Sequence, residues 1–247
     1  MIGRPRVHYR VTDSTNERAK DLALRGAPHG TIVTAGEQTA GRGRQGRTWV
    51  APPGSALLLS VLLRDLGKAQ AHLPLAAALA VCDACERAAP VSCRIKWPND
   101  VWIDGRKVAG ILIEGRPQEG WALLGVGVNV STRGGEFPPE LRDIATSLGA
   151  ASGRASAPAS DDLLALLTES LETRLSDKPK AIVAAWRERD ALEGRKVQWQ
   201  SGEGVADGIN EDGALIVQTP SGRVFLDAGE VHLRRGVPPS GEFQKRG

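Results

Sequence analysis

Residues 41–46 read GRGRQG, and Arg47 follows. Arg42, Arg44 and Arg47 thus stand among Gly41, Gly43 and Gly46. Arginine offers a permanently charged, planar fork that suits phosphate or carboxylate. Glycine lets a backbone bend and approach a ligand closely. The stretch also spells G-x-G-x-x-G, the dinucleotide fingerprint, but that fingerprint works only when its glycines open a helix. Here RTWVAPPGS follows, and Pro52, Pro53 and Gly54 oppose a helix. No Gly-Lys-Ser/Thr follows, so it is not a Walker loop. A flexible anion clamp remains, with a solvated basic loop as the alternative.

Four other stretches carry side chains that could do chemistry. Ser14-Thr15-Asn16 opens a helical run, where Ser14 and Glu17 fit a capping box. KWPND (96–100) sets Lys96 and Asp100 on one turn, a charge pair and a candidate general base, although Asn and Asp also simply make turns. In RKVAGILIEG (106–115), strict alternation puts Lys107, Ala109 and Ile111 on one face. Ala109 and Gly110 leave room beside the lysine, which suits it to hold an anion. The alternatives are a solvated lysine or an edge guard. GVGVNV (125–130) alternates small residues with valine and ends near Asn129, whose amide pairs a donor with an acceptor.

These groups need a scaffold. RVHYRV (6–11) and TIVTAGEQ (31–38) read as strands on either side of a helix that stops at Gly26. SALLLSVLL (55–63) is a buried strand, and 69–89 a long buried helix with Pro74 in its first turn. Residues 93–115 read as two strands around a turn, with Asp104-Gly105 a strong hairpin signal, and 121–130 as another strand. Leucines 163, 164, 167, 171 and 175 mark an amphipathic helix, and 181–192 continues in helical style. From Gly194 to Arg235 short strands alternate with Gly, Asp and Asn, as in a small β-barrel. The expectation is an α+β fold, with a mixed, mainly antiparallel sheet and helices on one face, then the barrel. The domains divide as 1–190 and 191–236, with a loose tail at 237–247.

Composition narrows the function. Lys plus Arg is 32 against 29 Asp plus Glu, too even for a bulk nucleic-acid binder. No apolar stretch is long enough to cross a membrane, and MIGRPRVHYR lacks a signal core. Three cysteines, Cys82, Cys85 and Cys93, suggest a reducing compartment and buried thiols rather than disulfides.

Order and spacing decide more than any single stretch. STN, Q-x-x-GRGR-x-GR-x-W, KWPND, RKVAGIL-x-E, GVGVNV and a terminal barrel together resemble the biotin protein ligases, from about residue 10 to residue 235. The resemblance implies a class II synthetase-like catalytic domain, related to the lipoate ligases, and an SH3-like C-terminal barrel. It implies activation of biotin by ATP to biotinyl-5′-AMP, with Mg²⁺, and transfer to a carrier-domain lysine of acyl-CoA or pyruvate carboxylases. Carried over by position, Ser14, Thr15, Asn16, Gln38, Arg42, Gly43, Arg44 and Lys107 fall on biotin and adenylate contacts. Arg47, Trp49 and Asn129 fall on the nucleotide side. Asp100 matches the aspartate that takes the carrier lysine's proton, with Lys107 and Arg44 the other catalytic groups. The motifs begin by residue 14, so the expectation is a cytoplasmic ligase without an N-terminal DNA-binding domain, binding neither DNA nor membrane. A lipoate or octanoate ligase, and a non-catalytic carrier- or nucleic-acid-binding module, are the alternatives.

Overall fold

The computed structural model describes residues 1–116, 119–153, 156–227, 229 and 231–233. The tail expected at 237–247 lies outside them. The first strands are β1 (Arg6–Tyr9), β2 (Ile32–Ala35) and β3 (Ala56–Arg64), with α1 (Thr15–Leu24) between the first two. After α2 (Leu73–Ala88) come β4 (Arg94–Lys96), β5 (Asp100–Ile103), β6 (Arg106–Arg116) and β7 (Trp121–Asn129). These strands form one sheet in the order β1-β2-β3-β7-β6-β5-β4. Only β1 and β2 pair in parallel; every other pairing is antiparallel.

Alternation sorts the two faces of this sheet. Leu57, Leu59, Val61 and Leu63 of β3 join Ala122, Leu124, Val126 and Val128 of β7 in the large core. There α2 packs beside α4 (Ser160–Ser176) and α5 (Pro179–Glu188). With neighbours on several sides, α2 is apolar almost all round, and Pro74 sits in its first turn, where its missing N–H costs nothing. Helices were expected on one face only. Instead α1 lies on the other, its Ala19 and Ala23 packed on Val33, Leu62, Leu123 and Trp121. Ten residues long, α1 covers only part of that face. The uncovered remainder, where β7 carries Gly125, Gly127 and Asn129, is open.

The segment 93–115 holds three strands rather than two. Pro98 lacks an N–H and cannot continue a ladder, so Trp97-Pro98-Asn99 ends β4 and turns into β5. Asp104 and Gly105 both take positive φ (49° and 75°), the two-residue turn that joins β5 to β6.

Within β6 the alternation breaks. Val101 faces Ala109 and Trp102 faces Lys107, so Val108 is an extra residue, a β-bulge. Val108 and Ala109 are both fully buried in the core, and Ile111 follows them there. Lys107 is therefore not on the face of Ala109 and Ile111, as alternation implied. The bulge turns it to the open face, beside Asp100 and Gly110.

After α3 (Leu148–Ser152), α4 and α5, the chain forms β8 (Lys196–Trp199), β9 (Gly202–Ile209), β10 (Leu215–Thr219), β11 (Gly222–Leu226) and β12 (His232–Leu233). They make a five-stranded antiparallel sheet in the order β11-β10-β9-β8-β12. Its Val197, Ala206, Ile209, Leu215 and Val217 belong to the same hydrophobic cluster as α2 and the first sheet. Trp97 Nε1 donates to Gly213 O at 3.0 Å, and Arg187 donates to Ile209 O.

The link between the sheets runs along β4: Ile95 N donates to Arg189 O (2.7 Å) and Ala191 N to Ile95 O (2.9 Å). Asp190 sits in that link. Its Oδ1 accepts from Leu192 N at 2.7 Å, while Oδ2 is buried with no hydrogen-bond partner among the described residues. Burial, aided by Glu193, pushes its carboxyl up to about 6, against the Leu192 hydrogen bond. The folded state thus keeps this proton to higher pH than the unfolded chain does. Its contribution to stability falls as pH rises from the ordinary 3.8 through about 6. Asp190→Asn keeps the Oδ1 acceptor and removes the charge. Urea midpoints of variant and wild type should diverge in the variant's favour across that window and then run parallel. A pH-independent difference would contradict this account of Asp190.

Candidate active site

The open face is a cavity of about 750 Å³. Ser14, Thr15, Asn16, Gln38, Arg42, Gly43, Arg44, Arg47, Trp49, Asp100, Lys107 and Asn129 all line it. Its floor is bare backbone where Gly110 of β6 pairs with Gly127 of β7. A Cβ on Gly127 would stand 2.6 Å from Trp49 Cε2, and one on Gly110 3.0 Å from Trp49 Cζ3. Glycine is required there so that the Trp49 indole can lie against the strands.

One end of the cavity is lined by the neutral polar side chains of Ser14, Thr15, Asn16 and Gln38, with charged groups bracing them from behind. The first turn of α1 brings Thr15 to Gln38, whose Oε1 accepts from Thr15 N (2.7 Å) and Oγ1 (3.0 Å). Ser60 of β3 is buried beneath, its Oγ 2.8 Å from Thr15 Oγ1 and in contact with Asn16 Oδ1. Asn16 Nδ2 donates to Glu114 Oε2 at 2.7 Å. The expected capping box does not form. The Ser14 side chain makes no cap bond, and Glu17 instead pairs with Arg42 and Lys20. Ser14, Thr15 and Asn16 are all buried toward the cavity.

The arginine segment folds as a hairpin. Trp49 N donates to Gly41 O (3.0 Å) and Gly43 N to Arg47 O (2.7 Å), and Arg44–Gly46 makes a single 3₁₀ turn. Arg42 reaches back to Glu17 and to Glu114 (3.0 Å), which ties the hairpin to α1 and β6. No α-helix follows the glycines, so the dinucleotide geometry is absent.

The other end is charged. Lys107 Nζ lies 2.7 Å from Asp100 Oδ1 and 5.6 Å from the Trp49 ring. Lys96 faces Asp100 across the β4–β5 pair and lies 5.7 Å from the Trp102 ring. Burial pushes the Arg44 guanidinium down, Asp100 opposes this and Arg47 adds to it. Past Trp49, Asn129 Nδ2 donates to Thr146 O at 3.0 Å. Two polar atoms of lining residues, Asn129 Oδ1 and Trp49 Nε1, are buried without a partner among the described residues. Buried polar atoms are nearly always paired, so this end suits a ligand rich in donors and acceptors. The terminal sheet reaches the rim through Arg195, His232 and Leu233. Among the described residues no group of three His, Cys, Asp or Glu side chains could hold a metal ion. Asp100 and Glu114 already hold cations.

The model of the biotin/lipoate A/B protein ligase family matches residues 8–131, and that of the biotin protein ligase C-terminal domain matches residues 193–234. The chain belongs to the biotin/lipoate protein ligase family. It is 38% identical over 234 residues to a biotin–[acetyl-CoA-carboxylase] ligase of Paracoccus denitrificans, covering 89% of this chain and 97% of that protein. It is 34% identical over 245 residues to the bifunctional ligase/repressor BirA of Bacillus spizizenii, covering 94% of this chain and 75% of that one. The structure of the Aquifex aeolicus biotin protein ligase in complex with biotin and ATP superposes with a TM-score of 0.82 at 29% identity. The match spans 94% of this chain and all of that one.

Several groups that line or support this cavity are not singled out by the sequence. Ser60 is the one hydroxyl inside the apolar run that follows Ser55 in SALLLSVLL, a signal present in the sequence. Glu17 was read as a cap, because its partner Arg42 lies 25 residues on. Trp102, which lines the cavity, and Thr146, whose carbonyl holds Asn129, carry no local signal.

The glycine floor gives a direct test. Gly127→Ala should lift Trp49 from the strands and loosen the hairpin it anchors. Trypsin should then cut at Arg42, Arg44 or Arg47 several-fold faster than in wild type, with the thermal midpoint little changed. Equal cleavage rates would show that the indole does not hold this segment.

Proposed function

We propose that this chain joins biotin to ATP, forming biotinyl-5′-AMP and pyrophosphate, and then passes the biotinyl group to a lysine of a carrier domain on a biotin-dependent carboxylase. The observation that carries this is that two unlike sets of side chains, Thr15, Asn16 and Gln38 on one side and Lys107 and Asp100 on the other, line one cavity. The neutral polar end fits a ureido ring, which needs a few donors and acceptors in an otherwise closed wall. Ser14, Thr15, Asn16 and Gln38 supply them, and Ser60 and Glu114 hold two of these in place. A lipoyl or octanoyl tail has no groups to satisfy such a set, which favours biotin over the lipoate reading.

In the first step the carboxylate of biotin attacks the α-phosphorus, and two anions must come together. Lys107 turns from Asp100 to the phosphate and offsets the charge that develops there, with Arg44 opposite. The adenine stacks against Trp49, and Asn129 Oδ1 accepts from its amino group. Arg42, Gly43 and Arg47 carry the hairpin over the intermediate and keep water from the anhydride. Mg²⁺ enters with ATP as part of the substrate, since the site's carboxylates are engaged. In the second step the carrier lysine gives its proton to Asp100 and attacks the carbonyl. Residues 1–190 form the catalytic unit and 191–236 the closing one. Three unbonded, buried thiols accord with a cytoplasmic enzyme.

Pyrophosphate exchange into ATP, run with biotin, with lipoate and with neither, tests the reading; exchange should require biotin. Lys107→Ala should slow that exchange about 10²–10³-fold with the fold intact, and near-normal exchange would remove Lys107 from the chemistry. Asp100→Asn still accepts from Lys107 and should form adenylate. Transfer from supplied biotinyl-5′-AMP to a carrier domain should nevertheless slow about 10²–10⁴-fold. Transfer at the wild-type rate would exclude Asp100 as the base.

A further inference from the structure

Glu114 stands behind the polar end of the cavity and is not among the residues that line it. On β6, its Oε2 accepts from Asn16 Nδ2 at 2.7 Å, and its Oε1 pairs with Arg42 at 3.0 Å. Asn16 is buried, and its amide lies close against β7: a Cβ on Gly125 would stand 2.5 Å from Asn16 Oδ1. So confined, the amide can meet Glu114 with its nitrogen or with its oxygen. A carboxylate accepts and does not donate, so it takes the nitrogen.

That choice fixes the protons of the groups beyond it. With its nitrogen on Glu114, Asn16 turns its oxygen to Ser60. The Ser60 hydroxyl is fully buried and has a single proton, with Asn16 Oδ1 and Thr15 Oγ1 both in reach. Thr15 gives its own proton to Gln38 Oε1 at 3.0 Å. No other donor among the described residues serves Asn16 Oδ1, so the Ser60 proton goes there. Thr15 Oγ1, which lines the cavity, is left as an acceptor, and Asn16 keeps one N–H beyond the one that Glu114 takes. A reversed amide would undo this. Asn16 would donate to Ser60, Ser60 would donate to Thr15, and the acceptor on Thr15 would be used up.

We propose that Glu114 is a positioning residue that sets the donor and acceptor pattern of the polar wall, and so determines which ring the site accepts; this rests on the biotin-activating reading above. A ureido ring donates through its N–H groups and accepts through its oxygen. The acceptor on Thr15 suits the first and the spare N–H of Asn16 suits the second. Glu114 acts through Asn16, by charge and not by shape. A glutamine of the same size could meet the Asn16 amide either way round, and the chain of hydrogen bonds would lose its direction.

The experiment uses the full chain and compares Glu114→Gln with Glu17→Gln, which removes the other partner of Arg42 and leaves the chain of hydrogen bonds intact. Biotin-dependent pyrophosphate exchange gives the KM for biotin and for ATP, and competition gives the affinities of 2-thiobiotin and desthiobiotin. In 2-thiobiotin sulfur, a weak acceptor, replaces the ureido oxygen. Desthiobiotin keeps the ureido group and lacks the thioether. In Glu114→Gln the KM for biotin should rise about tenfold, the effect of one misdirected hydrogen bond. The KM for ATP should stay unchanged, which also shows that the variant is folded. The preference for biotin over 2-thiobiotin should shrink by a similar factor, and the preference over desthiobiotin should persist. Glu17→Gln should keep both preferences. The proposal is overturned if wild type does not prefer biotin to 2-thiobiotin, or if Glu114→Gln keeps that preference. Loss of both preferences alike also overturns it, because the site would then merely have loosened. So does an equal loss in Glu17→Gln, because Arg42 would then carry the effect. Wild type without biotin-dependent exchange would instead overturn the underlying reading.

Discussion

The ion pair between Lys107 and Asp100 depends on one extra residue. Without the bulge at Val108, alternation would send Lys107 into the core between sheet and helices. An unpaired ammonium there would be too costly to bury. With the bulge, two successive apolar side chains enter the core and the lysine emerges beside Asp100 and Trp49. The parallel contact of Lys107 with residues 144–146 pins the strand at that point: Lys107 N donates to Ile144 O and Thr146 N to Lys107 O, each at 2.8 Å. The segment that holds the lysine in place also holds Asn129, through Thr146 O. The backbone beside the bulge therefore helps to position both Lys107 and Asn129.

Much of the fold was legible from periodicity. The continuous apolar run 56–63 could only be buried, the alanine-rich helix had to sit between layers, and Asp104-Gly105 could only turn. What escaped was decided by tertiary packing. Nothing local says that α1 packs on the opposite face from α2, α4 and α5. Pro98 is visible in the sequence, but that it divides β4 from β5 depends on the pairing of both with the sheet. The bulge was hidden because Val108 and Ala109 are both apolar, so either could have faced the core.

The site was legible in its residue types and only partly in its wiring. Arginines among glycines announced an anion clamp, and the small residues of GVGVNV announced close approach. The partner of each charge lay far away in the chain. Arg42 with Glu114, Asn16 with Ser60 and Trp49 with Gly127 are each linked through strand order β3-β7-β6, which no local pattern encodes. Glu17 looked like a cap because a capping box is local and a cross-loop ion pair is not.

The two sheets share one hydrophobic cluster, and that has a bearing on how this molecule can be divided. A module that folds alone keeps its apolar side chains to itself. Here Val197, Ile209 and Leu215 are buried against the interior that α2 also fills. A cut between α5 and β8 would expose that interior on both pieces. The terminal sheet and the first sheet thus close over one interior. Insertions in this chain should be tolerated at its exposed turns, such as residues 220–221, and not at the joint, where sequence composition changes most visibly.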